Sequence, residues 1–190
     1  MKQLSFDDSL AGFMSKYPDL FEEFRKEAGW HMDWRANPSE VDREPCWPKP
    51  FPMHNLAREF LLRFLGVRCI PDDWRGIEFG CKQTGTARTL KETNPYDAER
   101  FVLMEKWHTE RPPAFPIGTM NDWMIFLRDD WSTITISYCW KDFLLTSNPF
   151  EVIDEFRQNT DVIWSDPKRH IVVSNLDQVP ASLIGSVYVS

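Results

Sequence analysis

The chain has 190 residues, 42% of them hydrophobic, and its 22 Lys+Arg against 29 Asp+Glu leave a formal net charge of −7. A chain of this length buries roughly 70% of the surface its unfolded form exposes, so one domain with a real core needs neither disulfides nor a structural metal. The acidic balance disfavours direct nucleic-acid binding, which rests first on neutralising phosphates, and for the same reason it disfavours an anionic membrane.

The first ten residues carry Asp7 and Asp8 and no apolar run, so no signal peptide is expected there. Pro18 suits the first position of a helix, because its φ is already helical and its missing N–H would have no partner. Leu20, Phe21, Phe24 and Ala28 then recur at helical spacing, and Gly29 stops the run. Residues 36–53 hold Pro38, Pro45, Pro48, Pro50 and Pro52 beside Trp47 and Phe51, which predicts an irregular connector lying against the core. A second amphipathic helix is predicted from about His54 to Leu65, with Leu56, Phe60, Leu61 and Phe64 as its stripe and Gly66 as its stop.

Val67–Ile70 and Gly76–Cys81 read as short strands around a turn at Pro71-Asp72-Asp73. Asn94-Pro95 opens a third predicted helix that stops before Pro112-Pro113. Trp123–Leu127, the tight turn Asp129-Asp130, and the alternating run Thr133–Tyr138 predict a hairpin whose second strand is half-buried. Asp142–Thr146 continues the meander. Asn148 and Glu151 have capping-box spacing ahead of a helix with Val152, Ile153 and Phe156 inward. Two β-like runs follow, 171–173 and 184–189. Helices and strands do not alternate strictly, so the expected class is α+β and not a doubly wound parallel sheet.

Convergent chemistry is hard to find. His31, His54, His108 and His170 lie far apart and show no zinc-ligand spacing. No nucleophile elbow, Walker loop or dinucleotide fingerprint occurs, and residues 80–85 read better as a turn than as a phosphate loop. Cys46, Cys69, Cys81 and Cys139 include no Cys-x-x-Cys and read as buried thiols in a reducing cytoplasm. A cysteine–histidine pair stays open, because such pairs meet only in space. No enzyme, cofactor or metal is expected.

Nine tryptophans are many for this length. Asp72-Asp73-Trp74 and Asp129-Asp130-Trp131 repeat one tripeptide at two turns. Tryptophan anchors protein interfaces when it is seated in a pocket, and an acid beside it steers toward a basic partner. The competing reading is that each tryptophan fills a core edge while each acid solvates a turn. These six residues are the candidate partner-binding set.

Four short motifs occur in an order that resembles the SUKH superfamily, and within it the third subfamily of bacterial polymorphic-toxin immunity proteins. They are Ala28-Gly29-Trp30 closing a helix with Arg35 nearby; the helix 57–65 ending at Gly66; the step Phe115-Pro116-Ile117-Gly118 into a strand; and Phe150–Asp154 in a late helix. The resemblance covers about residues 20–160, with 36–53 longer than usual and 161–190 as an extension. The hairpin has Asp129-Asp130-Trp131 where the family has a glycine. The resemblance implies one α+β domain with a mostly antiparallel central sheet flanked by helices. It also implies a non-enzymatic cytoplasmic protein that binds and blocks a cognate toxin domain, such as a nuclease. Trp30, Arg35, Gly66, Pro116, Ile117 and Gly118 are expected to be structural, with Gly118 permitting a backbone angle or a close approach that a Cβ would forbid. A regulatory scaffold of the same superfamily and a small hydrolase with an unrecognised site are the alternatives. The oligomeric state is not legible.

Overall fold

A computed structural model describes residues 5–42, 53–69, 76–80, 114–121, 123–137, 142–158 and 165–172. The Asp72-Asp73-Trp74 turn, the helix expected after Asn94, the run 184–189, and Cys46, Cys81, Cys139 and His108 lie outside these residues.

Ser5 starts the first helix, α1 (Phe6–Lys16), by accepting the Asp8 N–H, with Asp7 and Asp8 at the positive end of the helix dipole. Helix α2 (Pro18–Ala28) begins on its proline. It ends at Gly29, whose φ of 66° is left-handed and whose N–H returns to the Phe24 carbonyl. The proline-rich connector is not irregular throughout: Asn37 caps a short helix, α3 (Pro38–Val41), with Pro38 at its first position, and Val41 is buried. Helix α4 (Asn55–Phe64) buries Ala57, Phe60, Leu61, Arg63 and Phe64. The last described helix, α5 (Pro149–Gln158), is capped by the Asn148 side chain, which accepts from Phe150 N–H at 3.1 Å and Glu151 N–H at 3.0 Å. Glu151 reaches back to Ser147 N–H and Oγ, one residue earlier than a capping box would place the return bond.

The strands form a single antiparallel meander in chain order: β1 (Arg68–Cys69), β2 (Ile77–Phe79), β3 (Phe115–Met120), β4 (Trp123–Leu127), β5 (Thr133–Ser137), β6 (Asp142–Thr146) and β7 (His170–Val172). The fold is thus α+β, with an antiparallel sheet. Phe115-Pro116-Ile117-Gly118 does not lead into a strand but forms one. Its proline is tolerated because the register shifts between Pro116 and Gly118, a bulge that relieves the ladder of the missing donor. Two residues, 121 and 122, join β3 to β4, and Asn121 takes a φ of 49°, which asparagine accepts more readily than most residues.

Phe79, Gly118, Ile125, Thr135, Leu144 and His170 stand side by side across the sheet on the face that meets the helices. The core there is aromatic. Phe64 stacks on Trp30 with centroids 5.3 Å apart and packs on Phe60, Phe79 and Phe150. Trp30 is fully buried and donates its indole N–H to the Arg63 carbonyl at 2.9 Å. Arg157 of α5 binds Glu23 of α2 at 2.6 Å, fastening those two helices together.

Strand β5 departs from expectation. Its alternation predicted one wet face, yet Thr133, Thr135 and Ser137 are as enclosed as Ile134 and Ile136. As an inner strand beneath helices it turns its hydroxyls toward the core. Thr133 Oγ1 bonds Thr146 Oγ1, which donates to the Asn148 carbonyl, whereas Thr135 Oγ1 has no partner among the described residues.

Candidate partner-binding surface

The β4–β5 hairpin closes through Arg128 N–H to the Ser132 carbonyl at 2.9 Å and Trp131 N–H to the Arg128 carbonyl at 3.3 Å. This is a three-residue loop, Asp129 to Trp131, with its last residue left-handed at φ 74°. A glycine suits that position, and a tryptophan there carries roughly 1 kcal/mol of strain. The strain is held by packing. The Trp131 ring lies 5.2 Å from Phe6 and 4.9 Å edge-on from Phe13, and Phe13 continues to Phe150 in the core. Asp130 stabilises the turn by accepting the Ser132 N–H at 2.9 Å and its hydroxyl at 2.5 Å.

Trp131 is therefore half-buried, and two rings of α1 occupy it. It fixes the hairpin to α1 more than it projects from it. The exposed tip belongs to Asp129 and Asp130. The Phe6–Trp131 contact brings the first turn of α1 alongside, with Asp7 and Asp8 both exposed. Asp7 pairs with the buried Arg63, whose guanidinium also lies 5.7 Å from the Phe6 ring and donates to the Met32 carbonyl at 2.8 Å. Asp7 and Asp8 lie outside the six residues expected from the sequence to meet a partner. The Ser5 cap followed by Phe6, Leu10, Phe13 and Met14 at helical spacing was the signal that could have placed them on a helix.

Of the residues expected to be structural, Gly66 adopts φ 81° and donates to the Phe79 carbonyl at 3.0 Å, turning the chain from α4 into β1. Gly118 answers a close approach, since a Cβ there would collide with the Glu78 carbonyl oxygen. Pro116 and Ile117 frame the bulge. Arg35 is exposed and donates to the Met32 and Trp34 carbonyls, so it braces the loop after α2.

Among the described residues, groups of catalytic type meet in one place. His170 Nε2 lies 3.2 Å from Asp142 Oδ1, and Ser137 Oγ contacts Asp142 Oδ2 at 3.4 Å. Acyl transfer needs the imidazole between hydroxyl and carboxylate, whereas here the carboxylate stands between the other two. Ser137 Oγ also accepts the Asp142 N–H at 3.2 Å, which makes the cluster a brace for the β5–β6 connection. Among the described residues no group of three or more His, Cys, Asp and Glu is placed to hold a metal. Burial pushes the Cys69 thiol up to about 12, which suits an inert core thiol. Burial also raises Glu78, partly offset by Arg68 directly across the ladder. No described helix is long and apolar enough to cross a membrane.

Comparisons with protein-family models, with curated proteins and with solved structures each find no match.

Proposed function

We propose that this chain is a cytoplasmic immunity protein of SUKH type, which binds a cognate toxin domain and blocks it without chemistry of its own. The carrying observation is the arrangement of charge. Asp8, Asp129 and Asp130 are exposed around the Phe6–Trp131 contact, with Asp7 beside them paired to Arg63, in a chain of net charge −7. A rigid acidic surface suits a basic partner, because complementary fields accelerate encounter and ordered side chains lose little entropy on binding. Asp72, Asp73 and Trp74 belong to the same proposal by their repeated tripeptide. The order of elements supports it: a helix closing at Gly29-Trp30, a helix closing before a strand at Gly66, a bulged strand through Pro116-Ile117-Gly118, a hairpin, and a late helix. If the partner is a nuclease, the carboxylates would occupy the positions of phosphates.

The test is titration calorimetry, at low and high salt, against toxin domains encoded by neighbouring genes of its host. Tight binding that weakens with salt, together with loss of toxin activity, supports the reading. Absence of binding would sink it, whereas full inhibition with unchanged salt dependence by a variant with Asp72, Asp73, Asp129 and Asp130 all changed to Asn would take the contact away from these acids.

A further inference from the structure

His54 occupies an unusual position at the N-terminus of α4. Its Nδ1 accepts the Ala57 N–H at 3.2 Å and so serves as the helix cap. Its Nε2 lies 3.0 Å from the carbonyl oxygen of Leu127, the last residue of β4. A carbonyl can only accept, so Nε2 must carry the hydrogen, and Nδ1, facing an amide donor, must not. Both bonds together require the neutral imidazole in one tautomer. Leu127 pairs with Thr133 at the base of the Asp129–Trp131 loop, so this single ring joins a helix end to the root of the hairpin.

We propose that His54 is a proton-operated latch: the neutral ring fastens α4 to the β4–β5 hairpin, and protonation at Nδ1 breaks the α4 cap, so the link between helix and hairpin root is lost at its helix end while Nε2 stays on the Leu127 carbonyl. Protonation turns the acceptor facing the Ala57 N–H into a second donor, and two donors cannot share that space. The surroundings pull in both directions. Burial disfavours the imidazolium and lowers the pKa below 6.5, opposed by the Leu127 carbonyl and by Asp129 and Asp130 of the hairpin. On α4 itself, Arg58 turns its guanidinium to Asp42 at 2.9 Å. Strand β3 contributes the Phe115 ring, 6.4 Å away and edge-on.

The sign follows. With the folded pKa below the unfolded value, the unfolded chain binds the proton more readily, so stability is complete above about 6.5 and declines as pH falls toward the folded pKa. Each unit of depression reduces the folding equilibrium constant by about tenfold once both pKa values are passed. The latch does not depend on the identity of any partner, so its test involves none.

The experiment is a heteronuclear NMR titration of the full chain from pH 8 to 5. The expected result is an Nε2–H tautomer at pH 8 and a His54 midpoint below 6.5. The amides of Ala57 and of residues 128–132 should move with that same midpoint. His54→Asn, which keeps a capping acceptor without titrating there, should leave the 128–132 amides flat over the range. An Nδ1–H tautomer, a midpoint at or above 6.5, or hairpin amides that ignore the His54 midpoint would overturn the latch, and the wild-type titration decides this even if the variant fails to fold.

Discussion

A methyl group at position 118 would sit on the Glu78 carbonyl oxygen and 3.0 Å from the Cα of Phe79. Both are backbone atoms of a paired strand, so neither can swing aside as a side-chain end would. Gly118→Ala is expected to cost about 3 kcal/mol, read as a lower urea midpoint at unchanged slope. Thr135 presents the opposite case. Its hydroxyl is fully enclosed on the helix-facing side of β5 and has no partner among the described residues, so Thr135→Val replaces an orphan polar atom with a methyl group. A gain of about 1 kcal/mol is expected in the same assay, and a loss would mean that the hydroxyl has a partner in solution. Cys69 should resist alkylation near pH 8 in the folded protein and react once denaturant is added, because burial holds its thiol far above that pH. Peptide mapping separates it from the other three cysteines.

Among the elements, the β4–β5 hairpin shows how one residue can carry two opposed effects. Trp131 contributes ring packing on Phe6 and Phe13 and costs left-handed backbone strain. Trp131→Ala removes the packing and keeps the strain, whereas Trp131→Gly removes both. The glycine variant should therefore be the more stable of the two by about 1 kcal/mol. Equal stabilities, measured by thermal unfolding, would show that the loop relaxes when the ring is lost. Helix α5 depends on its cap in a comparable way. Asn148 is buried and satisfies two amides, and its Nδ2 also reaches the Tyr17 hydroxyl at 3.3 Å, so Asn148→Ala should cost about 2 kcal/mol. At this scale α2, α4 and the hairpin were legible, because proline starts, glycine stops and apolar spacing act within a few residues. Helix α1 was not, since Gly12 and two serines dilute a pattern that buries only Leu10. Helix α3 was missed for another reason: five prolines suggested an irregular path, although Asn37-Pro38 is itself a helix start.

For the whole molecule, the proposed surface predicts how binding responds to charge. Asn at 129 and 130 removes two charges and keeps the side-chain oxygen that accepts from Ser132, so the turn survives. Affinity for a basic partner should fall by up to about tenfold at low salt, with the difference shrinking as salt is raised. Comparison of calorimetric titrations at two ionic strengths checks this, and an equal loss at both would point to a damaged fold. By itself the sequence determined the α+β class, the hairpin, the glycine stops and the acidic balance. These follow from rules acting over a few residues or from simple sums of charge. Tertiary structure alone decided that Trp131 is seated on α1, that both faces of β5 are enclosed, that Asp7 and Asp8 stand beside the hairpin, and that His54 caps a helix while holding a strand. Such partnerships join groups 73 residues apart, as between His54 and Leu127, or 131 apart, as between Tyr17 and Asn148. Local periodicity carries no information over those separations, because it is the packing of the core that brings the two ends together.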